Sequence, residues 1–441
     1  MKNWNTKPIK MNSKITLYII AIIILCTVGV RSQPVLTLED AKKSALNSNL
    51  DIAAAAMEAA AASMQVYRAN AGLGPRVDWN LNTNGSFNKV NLEFIDGRTL
   101  DRYGRSFAPG SNLSLSWTLY DGGRMQNRYE ILKKQNELSA VTAQQTTEEL
   151  LRMVTELYYT MARQKYVLDY LKKGVKYYEE RLTITEERWK VGRGSKLDYL
   201  QSQNDLNTQL AAIQNSELAL SNFKVNMNLL LNRAADTDFT TEEIANDLTK
   251  YEIEEMVRQA VSNDEALMVL DKNIELSRLA TKDWEGSRLP RIGFTTALGY
   301  NFSTTNAGQV LRSQSLGFNG GLTASWNLID GGHAKKQIQI SQQQSRILET
   351  RKQLQLARIR TNATLAVQQI NATDANLKLE QNNKDLAEEN LTIALEKFKL
   401  GASTILELND AQQRYDASIQ RYIDAVFALH FARLMAKEIV E

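Results

Sequence analysis

The chain writes one set of landmarks twice, and this duplication limits its possible folds more than any other feature. Leu115-Ser-Trp117-Thr-Leu-Tyr-Asp121-Gly-Gly123 returns 209 positions later as Ala324-Ser-Trp326-Asn-Leu-Ile-Asp330-Gly-Gly332. The same offset carries Glu187-Arg-Trp189-Lys-Val-Gly192 onto Glu396-Lys-Phe398-Lys-Leu-Gly401. Earlier in each half the offset is 215, pairing Leu38-Glu-Asp-Ala with Ile253-Glu-Glu-Met and Pro75 with Pro290. Six extra residues therefore lie between Pro75 and Trp117, where a loop is expected. Repetition on this scale reads as one architecture built twice, over 33–245 and 246–441.

Within each half the helix breakers are segregated. The prolines are Pro8, Pro34, Pro75, Pro109 and Pro290, so 110–289 and 291–441 contain none. Only Gly174, Gly192 and Gly194 fall between Gly123 and Gly286, and only Gly401 follows Gly332. Segments this free of breakers predict very long helices. In the first of them Leu150, Val154, Leu157, Met161, Leu168, Leu171, Val175, Tyr178 and Leu182 step by fours and threes, with Gln164 filling the vacant slot. That is a coiled-coil seam. Tyr415, Ile419, Tyr422, Val426 and Leu429 repeat the spacing near the carboxyl terminus. Thr37-Leu-Glu-Asp40 predicts a capped helix start, and the alanines at 53–56 and 59–62 suit a close helix approach.

Between the helices the period changes to two. Val77, Trp79, Leu81, Thr83 and Phe87 alternate with Asp78, Asn80, Asn82, Asn84 and Ser86, and Leu113, Leu115, Trp117 and Leu119 form a second run. Ile292, Phe294, Thr296, Leu298, Tyr300 and Phe302 form a third, and Phe318, Leu322 and Trp326 mark a fourth. About ten residues of alternating apolar and small polar side chains is the pattern of a membrane barrel strand. A pair of soluble hairpins would alternate in the same way. Trp79, Trp117, Trp284 and Trp326 lie in or beside the runs and suit a headgroup girdle. Four strands cannot close a membrane barrel, whose smallest single-chain examples have about eight, so several chains must share one.

The first 32 residues read as a secretory signal peptide, with lysines up to Lys14, an uncharged run from Ile15 to Val30 and a cut before Gln33. Met11 offers a second start, and a membrane anchor is the competing reading. Lys2, Lys7, Lys10, Lys14 and Arg31 account for five of the 53 basic residues, and no acid lies among them. The remainder then has 48 bases against 50 acids, which argues against a nucleic-acid binder. Cys26 is the one cysteine and falls in this segment. His333 and His430 are the two histidines, too few for a His-based triad or a zinc centre. With no phosphate loop, HExxH or nucleophile elbow, neither an enzyme nor a cofactor or metal site is expected.

These residues resemble the TolC family of outer-membrane efflux channels over about 36–435. The likeness rests on the duplicated Trp-x-Leu-x-Asp-Gly-Gly element at Trp117 and Trp326. It rests also on an aromatic-x-x-Gly motif followed by a hydroxyl residue and an acid, at Trp189, Gly192, Ser195, Asp198 and at Phe398, Gly401, Thr404, Glu407. The resemblance implies an α+β membrane fold: a trimer whose chains each give four strands to a shared outer-membrane β-barrel continued by a periplasmic α-helical barrel. It implies a passive exit duct fed by a periplasmic adaptor and an inner-membrane transporter. Val191, Gly192, Gly194, Ser195, Leu400, Gly401 and Thr404 would be adaptor-contacting tips, although they also read as plain hairpin turns. Glu407 and Asp410 would form a cation-selecting constriction, with capping or a surface role as the alternative. Asp198 matches a gate-locking acid. Its phenolic partner position holds Phe398 and its basic partner position holds Ser403, so the lock must differ in detail. A secreted periplasmic coiled-coil scaffold would explain the heptads and leave the four alternating runs without a purpose.

Overall fold

The computed structural model describes residues 34–242, 249, 251–307 and 310–440. The expected signal peptide, with Met11 and Cys26, lies outside them. Among the described residues the order is β1 (Val35–Leu36), α1 (Leu38–Ser48), α2 (Leu50–Met64), β2 (Arg76–Glu93), β3 (Thr99–Tyr120), α3 (Arg124–Lys190) and α4 (Lys196–Leu230). The second half follows with β4 (Thr240–Thr241), α5 (Ile253–Asn263), α6 (Glu265–Gly286), β5 (Arg291–Thr305), β6 (Arg312–Ser325), α7 (His333–Lys399) and α8 (Ile405–Val440). The duplication is exact where it matters most: α3 and α7 both have 67 residues, about 100 Å each at 1.5 Å per residue. None of the described helices is long and apolar enough to cross a membrane.

Two compact units result, and each draws on both halves of the chain. One contains Leu150–Lys250 and Gln368–Met435 with the chain up to Leu50, and the other contains Asp51–Glu149, Tyr251–Val367 and the residues from Ala436.

In the second unit the four long strands form one antiparallel sheet in the order β2-β3-β5-β6. This leaves β2 and β6 as edges. The period-two runs set its register: Trp79 faces Leu113, Leu113 faces Leu298, and Leu298 faces Phe318, so one row of large apolar side chains crosses all four strands. All four of these side chains are exposed in the single chain. The interval from Pro75 to Trp117 holds the expected loop, at 94–98 between β2 and β3, but the six extra residues are not what makes it. They lengthen the strands, with 18 and 22 residues in β2 and β3 against 15 and 14 in β5 and β6. Cross-strand pairing continues past the point where apolar alternation stops, because the backbone ladder needs no particular side chain. Pro109 lies inside β3, and the ladder to β5 passes directly from Phe107 to Gly110, as a residue with no N–H requires.

Asp-Gly-Gly turns each hairpin into a helix. Asp121 accepts a bond from the Met125 N–H at 3.1 Å, and Asp330 accepts from Gly332 at 2.9 Å and Ala334 at 2.7 Å, so each carboxylate caps the helix that it precedes. Those backbone bonds, that from Ala334 foremost, hold the Asp330 carboxyl below its usual range. All four glycines have positive φ, between 65° and 82°. Gly122 is bound by a further condition. A Cβ there would stand 2.2 Å from the Gly286 carbonyl oxygen, so two backbones touch where α6 ends. Arg124 and Asp283 pair beside them at 2.8 Å.

In the first unit β1 and β4 form a short parallel pair, which the sequence did not foretell. The Tyr158 hydroxyl donates to the Leu36 carbonyl at 3.0 Å and accepts from the Glu242 N–H at 3.1 Å. Of the heptad seam of α3, Leu150, Val154, Met161 and Leu168 are buried, while Leu157, Leu171, Val175, Tyr178 and Leu182 are half-buried. Gln164, the polar member, donates to Ser216 of α4 at 2.7 Å. Thr37 caps α1, accepting from the Asp40 N–H at 3.1 Å. None of the alanines of α2 is fully buried within the chain, and Leu50, Met57 and Met64, seven apart, stand exposed on it.

Gly122 and Gly123 share the left-handed backbone but not the surroundings, since nothing lies within 4 Å of a Cβ on Gly123. Gly123→Ala should therefore cost about 1–2 kcal/mol of backbone strain, while Gly122→Ala should cost clearly more, on the order of 3 kcal/mol or above. Thermal midpoints of the two purified variants check this, and equal losses would contradict the backbone contact.

Candidate functional site: the two helical tips

The long helices α3 and α7 end in the same way because their last residues repeat. At the end of α3 the Gly192 N–H bonds the Trp189 carbonyl at 3.0 Å and the Arg193 N–H bonds the Arg188 carbonyl at 2.8 Å. At the end of α7 Gly401 bonds Phe398 at 3.0 Å and Ala402 bonds Lys397 at 2.9 Å. These are Schellman closures with glycine in the left-handed position, φ 74° in both. Gly194 is small for a different reason, since a Cβ there would lie 2.8 Å from the Arg188 Cβ.

The return helices start on the hydroxyl residues. Ser195 accepts from the Leu197 N–H at 3.1 Å. Thr404 and Glu407 form a reciprocal capping box, the Thr404 hydroxyl accepting from the Glu407 N–H at 3.3 Å and the Glu407 carboxylate accepting from the Thr404 N–H at 3.0 Å. Glu407 thus has a capping duty, the alternative weighed from its sequence, and its side chain stays exposed. Asp410 is ion-paired with Arg414 at 2.8 Å, with both side chains mostly in solvent. At the apex Val191 and Leu400 are apolar and exposed, Leu400 by 83%. Trp189 stacks on Tyr199 at 5.2 Å, with Lys196 over the indole.

Asp198 is half-buried, and its carboxylate makes no hydrogen bond or ion pair among the described residues. Phe398 is buried, and Arg188 holds it: the guanidinium lies 4.3 Å from the ring centroid and donates to the Phe398 carbonyl. The Ser403 hydroxyl is buried with no hydrogen-bond partner among the described residues. Within one chain, then, the two tips are joined through Arg188 rather than Asp198. Lys399 adds an ion pair to Glu180 at 2.7 Å. The sequence reading missed Arg188, although the repeat places it opposite Lys397 and so marks it as basic.

Further along the same helices lies a buried polar cluster. Arg181 of α3 donates to Asp205 of α4 and to Asn409 of α8, and its side chain is 2% exposed. Tyr178, one turn earlier, donates to Asp416 at 2.7 Å. Leu391, Leu395, Phe398, Leu408, Ala411, Tyr415 and Ile419 form an apolar cluster along α7 and α8. Burial pushes the Tyr415 phenol up to about 12 and raises the Asp416 carboxyl above its ordinary range, against the bond from Tyr178 that favours the anion.

The tryptophans divide between strands and helices. Trp79 and Trp117 stand exposed on β2 and β3, and Trp326 follows β6 with its indole donating to the Arg288 carbonyl at 3.0 Å. Trp284 belongs to α6 and packs edge-on against His333 at 5.8 Å.

A family model described as outer membrane efflux protein matches residues 42–233 and 256–433. The chain belongs to the outer membrane efflux protein family. Its place is therefore the outer membrane, with the helical part in the periplasm, and its family is one of channels. Solved structures share the fold at low identity. The outer-membrane channel OprN is similar at TM-score 0.74 and 16% identity, covering 91% of this chain and 89% of that one. The Campylobacter jejuni CmeC outer membrane channel is similar at 0.74 and 16%, covering 91% and 85%. The Vibrio cholerae outer membrane protein VceC is similar at 0.71 and 12%, covering 91% and 96%. No curated protein matches the chain.

The raised Asp416 carboxyl fixes the sign of a pH effect. An acid that is weaker in the folded state than at its unfolded value of about 3.9 burdens the fold when ionised. That burden is complete above the folded pKa and fades as pH falls towards the unfolded one. Asp416→Asn, which keeps an acceptor for Tyr178, should match or exceed the parent's thermal midpoint at pH 7.5, and the difference should shrink as pH falls towards 4. A variant much less stable than the parent at pH 7.5 would show that the anion is a net stabiliser.

Proposed function

We propose that three copies of this chain form an outer-membrane channel-tunnel giving passive exit to substrates delivered by an inner-membrane transporter through a periplasmic adaptor. The observation that carries this reading is the open sheet. β2 and β6 are edges in a membrane where unpaired backbone groups cost several kcal/mol each. Three such sheets joined edge to edge give twelve strands, an even number within the range of closed membrane barrels. Leu379, Leu386, Ile393 and Leu400, seven residues apart along α7 and its end, are exposed in the single chain and form a stripe that suits a neighbouring copy's helix. The stripe Leu50, Met57 and Met64 on the alanine-rich α2 supports the same reading. Each repeat, 33–245 and 246–441, supplies one hairpin of strands and one hairpin of helices.

The tips at Val191, Gly192, Gly194, Ser195 and at Leu400, Gly401, Thr404 are the adaptor's docking points, where exposed apolar side chains sit on rigid glycine-closed turns. Glu407 and Asp410 line the constriction and favour cations, and three copies bring six carboxylates together with three Arg414 partners. Like charges about 7 Å apart in water repel by only about 0.6 kcal/mol a pair, so a hydrated ring can hold them. Asp198 contributes to the gate only through a neighbouring chain, where its carboxylate would find a partner. Trp79, Trp117, Trp284 and Trp326 mark the lipid boundary. The chain performs no catalysis in this reading.

Outer-membrane fractions should yield a heat-resistant trimer that forms cation-selective channels in planar bilayers, and a soluble periplasmic monomer would refute the proposal. Val191→Asp combined with Leu400→Asp should abolish co-purification of the adaptor while the trimer survives. Undiminished capture of the adaptor would remove the tips from the docking surface.

A further inference from the structure

The cluster around Arg181 is unused by the function just proposed, yet it sits among the residues that present Glu407 and Asp410. We infer that Arg181 is a positioning residue for this acidic pair: by holding Asn409 it fixes the rotation and height of α8, and with them the face on which the two carboxylates stand. The inference rests on the reading of Glu407 and Asp410 as the cation-selecting constriction.

Helix geometry supplies the first step. Successive residues turn by about 100°, so with Asn409 directed at α3, Glu407 lies about 200° to one side and Asp410 about 100° to the other. The two acids are then about 60° apart on the face turned away from α3. Burial agrees, since Leu408, Ala411, Gln412 and Tyr415 are inside while Glu407, Asp410 and Arg414 are exposed. A rotation of one residue would bring a carboxylate towards the packed side and an apolar side chain towards the water.

The second step is what resists such a rotation. Leu391, Leu395, Leu408, Ala411 and Ile419 are contacts of one kind, and apolar seams tolerate sliding because one aliphatic neighbour replaces another. Arg181 does not tolerate it. Its guanidinium is buried between α3, α4 and α8, where Asp205 neutralises it and Asn409 takes a further donor. Displacing α8 by a residue leaves a buried cation short of an acceptor and a half-buried amide without its donor. Breaking one side of such an arrangement is far more costly than rearranging methyl groups. A single polar position in an apolar seam sets register for this reason. Asp416, seven residues after Asn409 and so on the same seam, accepts from Tyr178 and repeats the constraint one heptad further on.

Reversal potentials across planar bilayers in a KCl gradient, read from the full-length trimer, test the assignment. The reference variant, Glu407→Gln with Asp410→Asn, should lose cation selectivity. Asn409→Leu leaves every charge at the tip in place, and it should nevertheless remove roughly half or more of the selectivity that the reference variant removes. Arg181→Lys keeps the charge but not the two-armed guanidinium, and should move the reversal potential in the same direction with the heat-resistant trimer intact. If Asn409→Leu fails to assemble, Arg181→Lys carries the test. Trimers of either variant with the parent's reversal potential would overturn the inference while the reference variant still shifts it. If the reference variant shifts nothing, the constriction reading falls, and this inference falls with it.

Discussion

Hydrocarbon offers no hydrogen bonds, and a sheet that enters it must have no edge. The order β2-β3-β5-β6 leaves two edges in the chain, and in the trimer proposed above other copies of the chain close them. Much else follows. Exposure of Trp79, Leu81, Leu298 and Phe318 would be a fault in a soluble sheet and is proper for one surrounded by lipid. The two hairpins are joined side by side through β3 and β5, so one chain delivers a contiguous patch of wall. The Asp-Gly-Gly turns, with positive φ and a capping carboxylate, then lead each strand pair into a helix, directly after β3 and by way of 326–332 after β6.

Duplication built this economically, and the halves have since diverged where they do different work. The long helices α3 and α7 kept their length to the residue. The strands did not, and β2 and β3 outrun β5 and β6. At the tips the glycine closures are the same, but the starts of the return helices differ. Thr404 and Glu407 make a full capping box, whereas Ser195 caps alone and leaves Asp198 outside it. Tip geometry was kept, and the acid it carries was freed in one half and engaged in the other.

Periodicity made most of this legible. Alternation located the four strands, the breaker-free segments located the helices, and Gly192 and Gly401 located the tips, because each of these signals is local. What the sequence hid was relational. α3 has two seams, and only the regular one, through Leu150 and Met161, stands out by spacing. The second, which carries Tyr170, Tyr177, Arg181 and Ile184 towards α8, mixes charged and aromatic residues and follows no simple repeat. Arg188 on Phe398 was equally unreadable, since it joins positions 210 residues apart. The pairing of β1 with β4 involves two residues on each side, too few to leave a period.

The leucine stripe on α7 has a consequence for the chain before assembly. Leu379, Leu386, Ile393 and Leu400 are wet in a lone protomer, as are Leu50, Met57 and Met64. In the proposed trimer, folding and association draw on the same apolar area, and the stability of the product varies with protomer concentration as well as with sequence. A newly exported chain that meets no sisters is a sticky, half-finished object. For the trimer proposed above, survival in the periplasm becomes a race between finding two equals and being captured by a chaperone or cut by a protease.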